Sequence, residues 1–148
     1  MTMIQSSRNT IRLSPVPLLP ARGMTRPERD VRQGTVMPVI RGVYAPSELW
    51  RELSPWDRYL ARVHAVAITR PNAVFCGESA AALLGMPIFG DPGVVHVLAD
   101  ATSATSRQAG HVRVHTQTEP RILLEAGGIL VTSLIDTVVD IARNRHPA

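Results

Sequence analysis

RILLEAGGILVTSLIDTVVDIAR, residues 121–143, holds strand, turn, strand and helix signals in unbroken succession. Arg121 to Val131 is apolar on both sides of Gly127-Gly128, which predicts a hairpin turning at the two glycines. Ser133-Leu134-Ile135-Asp136 then offers a cap, and a helix is predicted to about Arg143 with Leu134, Val138 and Ile141 turned inward. Upstream, Val94 to Ala99 and His111 to His115 are two further strand candidates, separated by the polar loop from Asp100 to Gly110. Helices and strands do not alternate strictly along this half of the chain. The fold class predicted is therefore α+β, with a small antiparallel sheet packed with helices.

Further upstream lies the clearest helix signal. Ser54 caps, Pro55 occupies the first helical position and Asp57 stands three residues after the cap. Trp56, Leu60, Val63 and Ala67 follow at helical spacing, so Trp56 is expected to be a core anchor. Arg70-Pro71 ends this helix. A shorter one is predicted over Glu78 to Leu84, closed by Gly85. Before these, Thr25-Arg26-Pro27-Glu28 reads as a capping box that opens a short helix to about Gln33, with Gly34 stopping it in the left-handed conformation. Thr35 to Tyr44 is β-rich, and Pro38 restricts it to an edge or a break. Residues 1 to 20 lack sustained periodicity and are expected to form a flexible arm. The predicted division is thus an arm (1–20), a small basic unit (21–45) and an α+β body (46–148) that folds without the arm.

Charge divides the chain more sharply than hydropathy does. The first 45 residues hold seven arginines against two acids, Glu28 and Asp30, whereas the remaining 103 hold nine arginines against ten acids. The overall charge of +4 is an N-terminal +5 and a near-neutral −1. A basic segment on an ordinary body points to a polyanionic partner, and nucleic acid is the obvious one. All sixteen basic residues are Arg, a bias that a G/C-rich coding sequence explains as well as phosphate binding does. The single cysteine, Cys76, excludes an intramolecular disulfide and a multi-cysteine zinc site. Pro15, Pro17 and Pro20 interrupt the only N-terminal apolar patch, so neither a signal peptide nor a membrane span is expected and a cytoplasmic location is.

Within the basic unit, Arg29, Arg32 and Gln33 share a helical face and Arg26 lies a turn earlier. A short capped helix, a glycine stop and a β-rich segment bearing Arg41-Gly42 outline a recognition helix with a wing. Arg and Gln suit base edges, and Arg41 suits a phosphate. The plainer alternative is a solvated helix with a β-hairpin, since Val31 is the only large apolar residue inside the helix.

No catalytic constellation is evident elsewhere. His111, Arg113 and His115 line one face of a strand, but His111 and His115 are roughly 13 Å apart at about 3.3 Å per residue, too far to share a metal ion. His96 could pair with one of them across strands, and a polar, solvent-facing strand surface is the favoured reading. Ser79 lacks the nucleophile elbow, Cys76 reads as a small core residue, and Gly127-Gly128 lacks the lysine of a phosphate loop. Neither cofactor, metal nor enzymatic activity is expected.

Arg41-Gly42-Val43-Tyr44, the Trp56-Asp57-Arg58-Tyr59 helix, Glu78 to Gly85, and Val131-Thr132-Ser133 with its helix together resemble the AbiEi-type antitoxin-like family over about residues 21 to 145. The resemblance implies a DNA-binding transcriptional regulator of a bacterial toxin–antitoxin system, without enzymatic activity. In that family an N-terminal winged helix binds operator DNA, and the following domain acts against a nucleotidyltransferase-type toxin. Arg26, Arg29, Arg32 and Gln33 fall on the recognition-helix segment, and Arg41 with Tyr44 on the wing. Two features depart from the family pattern: the helices that support the recognition helix are missing or replaced by the proline-rich arm, and relatives usually continue beyond the position of Ala148. The alternatives are the front part of a longer protein with a very-short-patch-repair-like endonuclease, or a protein-interaction module.

Overall fold

The computed structural model describes residues 3–6, 11–88, 90–99, 107–116 and 121–145. Strand β1 (Met3–Ser6) and the two-residue β2 (Leu19–Pro20) precede a 3-10 turn at Ala21–Gly23 and helix α1 (Pro27–Arg32). A hairpin follows, β3 (Val36–Ile40) and β4 (Val43–Pro46), running into α2 (Ser47–Arg51) and the long α3 (Pro55–Thr69). Then come β5 (Val74–Phe75), α4 (Gly77–Leu83), β6 (Val95–Leu98), β7 (Arg107–Ala109), β8 (Val112–His115), β9 (Ile122–Ala126), β10 (Ile129–Thr132) and α5 (Leu134–Arg145). The fold is α+β.

Two sheets result. The smaller is antiparallel, in the order β2-β4-β3. The larger runs β1-β9-β10-β5-β6-β8-β7, with β1 and β7 at the edges of five inner strands. It is mixed, which corrects the antiparallel sheet expected from the sequence: β1 with β9, β10 with β5, and β6 with β8 are parallel pairs. For β6 and β8 the cause is the short strand β7 that precedes β8. The chain passes outward to β7 and returns through Gly110 as the antiparallel β8, which slots between β7 and β6 and so runs parallel to β6. The hairpin of β9 and β10 forms as the glycines predict, with Gly127 and Gly128 both at positive φ (59° and 79°).

One face of the larger sheet carries the main core. Phe75, Val95, Val97, Val112, Val114 and Val131 pack with Tyr59, Leu60, Val63 and Val66 of α3 and Ala80 and Leu83 of α4. A buried relay ties these layers together. The Tyr59 hydroxyl donates to the Val94 carbonyl at 2.7 Å and lies 2.8 Å from Ser79 Oγ, which accepts the His96 amide. Every polar group in that relay is satisfied, the condition under which burying it is tolerable.

Helix α3 begins as its sequence dictates, with Ser54 Oγ accepting the Asp57 amide. Its buried face is not the predicted one. Tyr59, Leu60, Ala61, Val63, Ala65 and Val66 are buried, and Trp56 remains 51% exposed. The inward stripe is centred on Tyr59 and Val63, so Trp56 stands off its margin, facing the groove formed with Arg12, Met86 and Pro87. Helix α5 departs further. Leu134 and Val138, expected inward, are exposed, and Ile141 is only half-buried. Thr137 and Asp140 face in instead, because each finds a partner on the sheet side. Thr137 bonds Thr132 at 2.8 Å, and Asp140 accepts from Arg121 at 2.6 Å.

The segment before Ala21 is also more ordered than its composition suggests. Residues 3–6 pair as β1, and Ile11 and Val16 are buried. The Arg12 amide donates to Leu83 of α4, and His64 of α3 hydrogen-bonds the Arg12 carbonyl. Isolated apolar residues thus dock a segment that has no periodicity of its own. The packing is likewise continuous across residue 45, since Ile40 and Val43 belong to the same cluster as Tyr59 and Phe75.

Among the described residues, no helix is long and apolar enough to cross a membrane.

Candidate nucleic-acid interface

The basic unit is built on the smaller sheet. Strand β4 alternates, with Val43 and Ala45 buried and Tyr44 and Pro46 half-buried on the opposite face. Val43 and Ala45 lie under the sheet with Ile40, Trp50 and Ala61, so the hairpin is welded to α3. Tyr44 is therefore presented on the outer face, between Leu19 on one side and Pro38 on the other. Pro38 sits on the edge strand β3, where the register shifts, as its missing N–H requires.

Arg41 lies in the tight turn at the hairpin tip and is exposed. The Ala21 amide donates to the Gly42 carbonyl at 2.9 Å, which fastens the 3-10 turn carrying Arg22 against that tip. Arg22 is thereby a further candidate contact that the sequence alone does not single out. Its proximity to Arg41 depends on the pairing of β2 with β4, which two residues of strand signal nothing in advance.

Helix α1 spans six residues beside β3 and buries none of them. The sequence placed its cap at Thr25. The structure places it at Arg26, with no side-chain cap, because Pro27 takes the first helical position and shifts the start by one residue. Gly34 ends the helix at φ 77°, as expected, and the Thr35 amide and hydroxyl both donate to the Asp30 carbonyl. Arg29 and Arg32 sit one turn apart, exposed, with Arg26 at the start and Gln33 at the C-cap. Among the described residues, none of Arg22, Arg26, Arg29, Arg32 or Arg41 forms an ion pair, whereas Arg12, Arg62 and Arg121 pair with Asp57, Asp91 and Asp140.

The histidines form a second polar cluster. His96 Nδ1 and His115 Nε2 lie 2.7 Å apart, with the rings stacked at 5.0 Å. The cross-strand pairing considered for His96 is thus made with His115. Burial, then the His115 and Arg113 charges, pushes His96 down to about 4, and burial also lowers His115. Cys76, nearby and buried, is pushed up to about 12 by desolvation, so its thiol stays protonated and unreactive. No group of three or more metal-ligating side chains gathers among the described residues.

No protein-family model, curated protein or solved structure matches the chain. What the site can do rests on its own chemistry. Five guanidiniums without an ion pair among the described residues and a half-buried tyrosine stand on the hairpin-and-helix unit, an arrangement suited to phosphates.

Proposed function

We propose that the chain is a DNA-binding transcriptional regulator of the AbiEi antitoxin-like kind, with the unit from Leu19 to Pro46 as its DNA-contacting part. The observation that carries this reading is the set of five exposed arginines on a single small unit, Arg22, Arg26, Arg29, Arg32 and Arg41, without acidic partners among the described residues. Unpaired arginine forks keep their full capacity for phosphate oxygens. The strand order β2-β4-β3, with α1 between β2 and β3 along the chain, supports a reduced winged helix, with Arg41 and Tyr44 on the wing. A six-residue helix with nothing buried anchors weakly, so the reading favours backbone contacts over base readout by Arg29, Arg32 and Gln33. The α+β body would then engage a nucleotidyltransferase-type toxin.

Titrating the full chain into duplex from its own upstream region and into random duplex, at several salt concentrations, tests this. Roughly four phosphate contacts give a log–log slope of about −3.6. Arg41→Ala should flatten that slope by about one and weaken binding to both duplexes. Arg29→Ala or Arg32→Ala should narrow the gap between the two duplexes by about 1–3 kcal/mol where the contact is bidentate. Absence of binding at low salt would refute the regulator.

A further inference from the structure

The dipeptide Arg-Gly occurs twice in the chain, as Arg22-Gly23 and Arg41-Gly42, and the fold brings the two copies together. Leu19 stands opposite Tyr44 and Pro20 opposite Val43, and the Ala21 amide donates to the Gly42 carbonyl at 2.9 Å. One step further along that register, the backbone of Arg22 comes alongside that of Arg41. Both side chains are exposed, and neither forms an ion pair among the described residues. The two acids of this unit, Glu28 and Asp30, both lie on α1. Like charges set across from each other oppose pairing of the segments that carry them. The space beside them is open. A Cβ added at Gly23 or at Gly42 would meet no atom within 4 Å. Gly42 is required by its φ of 87°, whereas no positive φ calls for glycine at 23.

We propose that Arg22 and Arg41 form one phosphate clamp, in which two guanidinium forks close on the same phosphate group across the Ala21–Gly42 junction. A phosphate presents several acceptor oxygens, enough for two arginine forks at once. Its negative charge removes the repulsion that the two arginines otherwise impose on each other. Bare glycine backbone on either side lets the phosphate approach closely. The clamp exists only when the 3-10 turn and the hairpin tip are joined, so each arginine depends on the other for its site. With the DNA backbone as ligand, the proposal rests on the DNA-binding reading above. It goes beyond that reading by assigning two arginines to a single phosphate and by bringing the segment before α1 into the contact.

Two measurements on the full chain test this, each with Arg22→Ala, Arg41→Ala and the double variant. The first is binding to duplex from its own upstream region at several salt concentrations. Each single change should flatten the log–log slope by about one, and the double change also by about one, because the same phosphate is lost every time. The second is the melting temperature without DNA, in inorganic phosphate against chloride of equal ionic strength. Phosphate should raise it for the wild type and not for the three variants. An equal rise in the variants is general stabilisation by phosphate and counts as no response. A response to duplex alone assigns the clamp to the DNA backbone. A response to phosphate alone keeps the clamp, assigns it to a free phosphate group and refutes the regulator. A double variant that flattens the slope by about two shows two separate contacts and overturns the clamp while leaving the regulator intact. Arg22→Ala that changes neither slope nor phosphate response overturns it too, as does a wild type that responds to neither ligand.

Discussion

Two tryptophans six residues apart occupy opposite environments, and only one is structural. Trp50 is 6% exposed and packs with Val16, Ala45 and Ala61, with the guanidiniums of Arg58 and Arg62 each 5.8 Å from its ring. Trp56 stands half in solvent on the first turn of α3. Trp50→Ala should therefore cost about 3–5 kcal/mol, the penalty of emptying a filled aromatic site. Trp56→Ala should cost less than about 1 kcal/mol, as exposed substitutions do. Urea unfolding of both variants checks the ranking. Acrylamide quenching of the remaining tryptophan should be strong in Trp50→Ala and weak in Trp56→Ala. Equal losses of stability would mean that Trp56 is covered.

The histidine pair joins β6 to β8, and it gives that junction a pH dependence of definite sign. Both rings titrate below their ordinary value in the folded chain, His96 near 4, while the unfolded chain titrates near 6.5. Between those values the unfolded state binds more protons, so stability rises with pH. The contribution is complete above about 6.5 and is lost as the pH falls toward 4. The urea midpoint should drop between pH 7 and pH 5, and His96→Gln should shrink that drop. A midpoint equally pH-dependent in the variant would locate the effect elsewhere. Most elements were legible in the sequence: the Ser54 cap, the Gly127-Gly128 turn, the Gly34 stop and the strands bearing Val95, Val97, Val112 and Val114 all follow from local signals. The face of α5 was not, because Thr137 and Asp140 point inward toward Thr132 and Arg121, residues whose positions are set by another element. The site was half legible. The charges on α1 and the turn at Arg41 were evident locally, whereas the fastening of Arg22 to the hairpin tip depends on strand pairing across two dozen residues.

The three sequence regions share one interior, so they should lose structure together. Ile11 and Val16 come from the predicted arm, Ile40 and Val43 from the basic unit, and all four are buried against α3 or its neighbours. Each such side chain stabilises the fold by about 1.5–3 kcal/mol. Removing all four would cost as much as the whole stability of a typical domain, about 5–15 kcal/mol. A chain starting at Ala45 should therefore lose its cooperative melting transition, and one starting at Ile11 should keep it. Differential scanning calorimetry decides between them. A sharp transition in the shorter chain would show that residues 46 onward hold a self-sufficient core.

Strand β1 pairs in parallel with β9, joining Met3 to Ile122 across most of the polypeptide. A ribosome releases these two segments in order, so β1 emerges long before its neighbour exists. During that interval it is a strand with bare backbone donors and acceptors, the kind of edge that recruits wrong partners. Pairing of β1 is postponed until residues 122–125 of β9 have been synthesised.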